Sequence, residues 1–287
     1  MSSLAGLFGL KNPQKISYNN PELNNRSRSR IVTSYILAKI REVGYYFSFG
    51  CSLISPFNSF RKYYSVSPEN SWKEDNQGLY LLIHGLMGHP SIWNSHLAKL
   101  HQIHPEAEIK APFVAHKGNC SLEEASASLL KMVKDYAKRN SGKPICLIGV
   151  SNGARIAAYL ETTLRKEDLN PKIKVSAIAG PFLGTKVINI LKKLRIARFL
   201  FHPSITNDLE YDSNKAKALI EDMKKSPSKT YEFYATVNDS RVFPFRSSLP
   251  ELSCEETHLI VSGYGHNGIV KGVRDEQLKK VVEWMKS

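Results

Sequence analysis

The sequence predicts an α/β fold: a mostly parallel central sheet with helices on both faces, a small helical cap and an N-terminal extension. Two patterns and the composition predict it. From Gly78 onward, short apolar runs of strand length recur, and amphipathic runs at helical spacing separate them. Strands buried on both faces read in this way. The chain has 287 residues, 42% hydrophobic and 23% charged, so it can bury a substantial core and is neither disordered nor membrane-dominated in composition.

Residues 1–75 form the extension. "MSSLAGLFGLKNPQK" has no charged segment leading into a long apolar core, so it is not a convincing signal peptide. The expected setting is cytoplasmic or peripheral to a membrane. Residues 11–30, rich in Asn, Ser and Arg with Glu22 as the one acid, read as a disordered tail. Residues 31–60 are a candidate hydrophobic helix. Lys39, Arg41 and Glu42 interrupt its first half, and Pro56 and Asn58 its second. The uncharged stretch Val43–Phe60 falls short of the about 20 apolar residues that span a bilayer. Packing on the domain, or lying at a membrane interface, fits it better.

Within residues 76–287 the elements follow in order. "LYLLIHG" (79–85) has a buried-strand pattern, and "IKAPFVAH" (109–116) a weaker one. Ser121 opens a helix with Glu124 completing a capping box, and Ala125, Leu129, Met132, Val133 and Tyr136 recur at helical spacing behind it. "PICLIGV" (144–150) is a strand and "ARIAAYLETTLRK" (154–166) a helix. "VSAIAGP" (175–181), "TYEFYATV" (230–237) and "THLIVSG" (257–263) are further strands, and "DEQLKKVVEWMK" (275–286) is a closing helix.

Lys plus Arg outnumber Asp plus Glu by 40 to 26, a net charge of +14. An excess of this kind speaks to partners and solubility rather than to fold. No recognition motif with interleaved aromatics accompanies it, so no nucleic-acid partner is expected. Cys51, Cys120, Cys146 and Cys254 lie far apart, without a CxxC pair or a histidine at zinc-ligand spacing. Neither a disulfide framework nor a metal site is expected.

The chemistry concentrates at three strand ends. Gly149-x-Ser151-x-Gly153 lies between a strand and a helix, the context of a nucleophile elbow. The glycines let the turn crowd its neighbours while the Ser151 hydroxyl stands clear. "HGLMGHPSIW", from His84 and Gly85 onward, follows the first strong strand. A turn there leaves backbone N–H groups suited to a developing oxyanion, and the expected pair is the N–H of Leu86 and that of Asn152. A serine nucleophile also needs an imidazole and an acid to orient it. His84, His89, His96, His101, His104 and His116 precede Ser151, while His202, His258 and His266 follow it. His266 lies in the glycine-rich loop "SGYGHNGIV" beyond the last strand; His258 sits inside a strand pattern and His202 in a basic segment. Asp239 directly follows "TYEFYATV" and is favoured as the acid over Asp208 and Asp212, which have no strand before them.

With these residues, the region from about Gly78 to Lys286 resembles the α/β-hydrolase superfamily, and within it the lipases and esterases with a His-Gly oxyanion turn. "HGLMG", "GVSNG", Asp239 and His266 carry the resemblance, in the chain order Ser, Asp, His. "AGPFLGT" (179–185) resembles the Pro-x-x-Gly-Thr turn of that group, and "TNDLEYDS" (206–213) its Asp-Leu segment. The chain departs from it at Val150 and Asn152, where many lipases carry His before the serine and Met, Gln or His after it, and at Ala154, where Gly often follows the elbow.

The resemblance implies cleavage of carboxylic esters, lipid or other apolar acyl esters, through an acyl-enzyme. Ser151 would be the nucleophile, His266 the base and then the acid, and Asp239 the residue that orients it. No metal or organic cofactor is implied. Residues of about 184–229 would form the cap. Its "KVINILKKLRIARFLF" (186–201) reads as one basic amphipathic helix that could cover an acyl pocket or touch an anionic membrane. Two alternatives stay open: a thioesterase or acyltransferase on the same three residues, and a non-catalytic, membrane-associated binding protein that keeps the fold.

Overall fold

The computed structural model describes residues 32–44, 59–64, 72–73, 75–167, 171–252 and 257–287. The expected tail at 11–30 and the second half of the candidate helix, 45–58, lie outside the described residues, as do Cys51 and Cys254. Six parallel strands form one sheet: β1 (Leu79–Ile83), β2 (Glu108–Lys110), β3 (Ile145–Val150), β4 (Ile173–Ile178), β5 (Tyr231–Thr236) and β6 (Thr257–Val261). They lie in the spatial order β2-β1-β3-β4-β5-β6. The chain moves outward from β1 to β2 and then reverses to β3, so the topological switch lies between β1 and β3. In open α/β sheets the carboxyl ends at such a point leave a crevice for ligands.

Every residue of β1 and β3 is buried, which explains their uninterrupted apolar runs. Their side chains alternate between two cores. Leu79, Leu81 and Ile83 face α3 (Leu122–Arg139), α4 (Asn152–Lys166) and α8 (Asn214–Met223). Tyr80 and Leu82 face α2 (Asn94–Ile103) and α9 (Gly268–Lys286). Polar residues inside the sheet are paired. Ser176 donates to Glu232 Oε1 at 2.7 Å, Gln277 donates to Ser176 Oγ at 2.7 Å, and His96 meets Gln277 Oε1 at 3.1 Å, which ties β4, β5, α9 and α2 together.

Several boundaries differ from the sequence reading. The second strand ends at Lys110 rather than continuing to 116, because the Ala111 N–H leaves the sheet for the Tyr63 carbonyl and Pro112 has no N–H to pair. The capping box at Ser121 is half formed. The serine accepts the Glu124 N–H at 3.2 Å, while the Glu124 carboxylate turns to His116 Nε2 at 3.1 Å. Helix α9 starts at Gly268, seven residues before 275, since Gly272 is demanded by the ring of Tyr264, 2.8 Å from where a Cβ would sit.

The stretch 186–201 is not one helix. Arg195 takes a left-handed φ of 58° and breaks it into α5 (Lys186–Lys193) and α6 (Ala197–Leu200). The break lets Ile188 share a small apolar cluster with Ile205 of α7 (Pro203–Asp208) and with Leu209. It leaves Ile190, Leu194, Ile196, Phe199 and Leu200 exposed. Residues 184–229 therefore divide: α5 and α7 share a small apolar cluster of their own, whereas Leu219, Ile220 and Met223 of α8 belong to the main core. Residues 32–44 form a helix, α1, in which Ala38 is buried while Val32, Tyr35, Ile36, Ile40 and Val43 are exposed. Among the described residues, no helix is long and apolar enough to cross a membrane.

Candidate active site

Ser151 stands between β3 and α4 with φ 56° and ψ −129°, a conformation that a non-glycine residue adopts only when its surroundings enforce it. Three contacts enforce it. The Ser151 N–H donates to the Ile178 carbonyl at 2.8 Å. A Cβ on Gly149 would meet the Gly153 carbonyl oxygen at 2.3 Å, and one on Gly153 would meet the Ile83 oxygen at 2.2 Å. The two flanking glycines thus let β3, α4 and the end of β1 close around the serine. Gly85 plays the same part across the crevice, since a Cβ there would lie 2.7 Å from that of Ser151.

The turn after β1 is held by the ring of His84. Its Nε2 accepts the Val114 N–H at 3.0 Å, so the proton is on Nδ1, which lies 2.9 Å from the Gly85 carbonyl. Burial above all drives the His84 pKa down to about 4, so the ring is neutral in this role. The next turn is fixed by the Met87 N–H, which donates to the Lys117 carbonyl at 2.7 Å. Between them, the Leu86 N–H has no acceptor among the described residues. The N–H of Asn152, first residue of α4, has none either. The N-terminus of a helix adds its own partial positive charge to such a pair. Behind Asn152, the fully buried Arg155 donates from Nη1 to its Oδ1 at 3.3 Å.

Asp239 and His266 meet at 2.8 Å, carboxylate Oδ2 to imidazole Nδ1, and both side chains are buried. The other carboxylate oxygen accepts the N–H of Arg241 at 2.8 Å and that of Val242 at 2.9 Å, which fixes the acid independently of the imidazole. The two loops are tied directly, because the Gly263 N–H donates to Asn238 Oδ1 at 2.7 Å and Thr236 Oγ1 donates to the Tyr264 carbonyl at 2.7 Å. The rival acids are engaged elsewhere. Asp208 accepts the Leu122 N–H at 3.1 Å and pairs with Lys215, and Asp212 pairs with Lys217 on the surface. His258 lies in β6, and His202 caps α7. Ser151 and His266 line one cavity of about 110 Å³, together with Leu86, Met87, His89, Ile92 and Arg241. The structure therefore brings Ser151 and the His266–Asp239 pair to one crevice at the β1/β3 switch, with Leu86 lining the same cavity and Asn152 directly following the serine.

One support of the site comes from the N-terminal extension, whose expected packing on the domain does not by itself point to these loops. Helix α1 clamps the loops that carry the acid and the imidazole. Arg41 Nη1 donates to the Gly263 carbonyl at 2.6 Å while its guanidinium lies 4.2 Å from the Tyr264 ring centre, and Asn238 Nδ2 donates to Ser34 Oγ at 3.1 Å. Arg241 donates its N–H to Asp239 and lines the cavity, and the one local signal for it is an Asp two residues earlier in the turn that follows β5.

No family model and no curated protein sequence matches the chain. Solved structures do. The product of gene lin2722 of Listeria innocua superposes with a TM-score of 0.51 at 14% identity, covering 72% of this chain and 92% of that one. LipS and LipT, described as metagenome-derived lipolytic enzymes, give 0.52 at 12% identity over 74% of this chain and 94% of that one. The chain has the α/β-hydrolase fold. Aspergillus fumigatus lipase B gives 0.53 at 13% identity, over 76% of this chain and 55% of that one. At such identities the likeness concerns the α/β-hydrolase fold alone, and the chemistry has to be argued from the site. Among the described residues, no cluster of three or more His, Cys, Asp or Glu could hold a metal ion.

Proposed function

We propose that the protein is a serine hydrolase that cleaves carboxylic esters of apolar acyl groups through an acyl-enzyme. The observation that carries this reading is the pairing of His266 with Asp239 in the same cavity as the strained Ser151. The Asp239 carboxylate holds the proton on His266 Nδ1, which leaves Nε2 as the base. As the Ser151 oxygen attacks the ester carbonyl, its proton passes to Nε2 and the carbonyl electrons move to oxygen. The Leu86 and Asn152 N–H groups receive that oxyanion. Collapse of the adduct expels the alcohol, which takes the proton from His266 and leaves an acyl ester on Ser151. Water, deprotonated by the same imidazole, then releases the acid and restores the serine. The lipolytic and lipase folds named above support this class of reaction, as does the apolar lining of Met87 and Ile92.

Hydrolysis of p-nitrophenyl esters from acetate to palmitate, by the wild type and by Ser151→Ala, tests the reading. Turnover should fall by about 10⁴ or more in the variant. Equal activity in both proteins would refute Ser151 as the nucleophile. Adding alcohol acceptors and replacing the oxygen ester by a CoA thioester separates hydrolysis from acyl transfer and thioester cleavage.

A further inference from the structure

A second groove of about 570 Å³ lies beside the nucleophile cavity, between the cap and the oxyanion turn. Met87 lines both and so joins them. The groove has an apolar component and a cationic one. Phe199 is 75% exposed, Met87 57% and Leu200 51%, on a surface where side chains of this size are ordinarily covered. Lys117 and Arg198 line the same groove, Arg198 with its guanidinium 4.6 Å from the Phe199 ring centre. Among the described residues neither cation has a carboxylate partner, whereas the adjacent His116 is committed to Glu124. The cap around them carries Lys186, Lys192, Lys193, Arg195 and Arg198 and no acid before Asp208. The field of Lys117 reaches the oxyanion turn, where, after burial, it is the cause that holds His89 below its ordinary pKa.

A neutral lipid would cover the apolar residues but gain nothing from two unpaired cations. We propose that this groove is the subsite for an anionic amphiphile, an acyl ester whose phosphate or carboxylate pairs with Lys117 and Arg198 while its apolar part covers Met87, Phe199 and Leu200. This inference rests on the ester-hydrolase reading of Ser151 and narrows its substrate class. The link from groove to chemistry is short, because the Lys117 carbonyl accepts the Met87 N–H and Met87 follows the oxyanion donor Leu86. An anion seated in this groove is therefore separated from the Ser151 cavity only by Met87, which lines both.

The test uses three soluble esters with one acyl chain, held below their aggregation concentration: 1-hexanoylglycerol 3-phosphate, 1-hexanoylglycerol 3-phosphocholine and 1-hexanoylglycerol. Hexanoyl-CoA, as a fourth arm, distinguishes a lipid phosphate from a nucleotide phosphate. The kcat/KM of the phosphate ester should exceed that of the neutral ester by about tenfold, mostly through KM, and the gap should shrink as salt screens the charges. In Lys117→Gln/Arg198→Gln the ratio of the two should fall towards one. Equal efficiency on all esters in the wild type would overturn the subsite and leave the hydrolase reading standing. So would an anionic preference that survives the double substitution. A preference seen only above the aggregation concentration would replace the subsite with docking on a charged lipid surface. Absence of hydrolysis of every ester, with Ser151 unlabelled by a fluorophosphonate, would instead refute the hydrolase reading itself.

Discussion

Gly153→Ala tests how the elbow is held. The new methyl would lie 2.2 Å from the Ile83 carbonyl oxygen and 2.6 Å from that of His84, both backbone atoms that cannot swing aside. Ordinary contact begins at 3.4 Å, so α4 and the end of β1 must part by about 1 Å. Those two elements carry the two proposed oxyanion donors, Asn152 and Leu86. Removing one such donor typically costs about 10²–10³ in turnover, and a misplacement of about 1 Å costs about 10². Overpacking of this kind also destabilises by about 1–3 kcal/mol, which a folded domain of this size tolerates. The expected result is a protein that still melts cooperatively, with kcat on p-nitrophenyl butyrate reduced about 100-fold and KM little changed. Gly44→Ala, with nothing within 4 Å of the added methyl, is the control. A folded Gly153→Ala protein whose kcat stays within a few-fold of wild type would refute the reasoning, because the close approach would then have no bearing on the donors.

Other outcomes follow from the same geometry. Asp239→Asn should keep the fold and lower kcat by about 10⁴, since an amide cannot hold the proton on His266 Nδ1, whereas Asp212→Asn, a surface change, should leave kcat within a few-fold. Arg41→Ala removes the clamp on the Gly263 carbonyl and the Tyr264 ring; kcat should drop by roughly tenfold with KM held, and a drop in KM alone would contradict a positioning role. Buried His84 and His96, mainly through desolvation, have pKa values lowered from 6.5 to about 4 and about 3. Because both are depressed, the unfolded chain takes up these protons first, so their contribution is intact above pH 6.5 and is lost progressively as the pH falls from 6.5 to about 4 for His84 and to about 3 for His96. For His84 alone the change is worth about 3 kcal/mol. Urea midpoints measured from pH 7 to pH 4 should decline, and His96→Gln should flatten the curve.

The parts of the molecule that were legible in advance are those fixed by local pattern. β1 and β3 are uninterrupted apolar runs because both faces are covered, and Gly149, Ser151 and Gly153 mark the turn from β3 into α4. Asp239 could be preferred to Asp208 because it lies in the turn just after a strand, and the structure pairs Asp239 with His266. What stayed hidden depends on contacts between distant residues. Arg41 and Gly263 are 222 positions apart, and no local periodicity reports that α1 holds the loop of His266. The break at Arg195 has no compositional mark either, since a left-handed arginine is chosen by the packing of Ile188 and Ile205. The early start of α9 runs against the low helix propensity of Gly268 and Gly272, which the Tyr264 ring overrides.

The most direct test of the central claim is the site of labelling by a fluorophosphonate, read by mass spectrometry of the peptides. An activated serine beside an oxyanion pair reacts with such a phosphorus centre where ordinary serines do not. The account predicts one adduct per chain, on the peptide that contains Ser151, and its loss in both Ser151→Ala and His266→Ala. An adduct on another serine, or a folded wild-type protein that takes up no label, would contradict it.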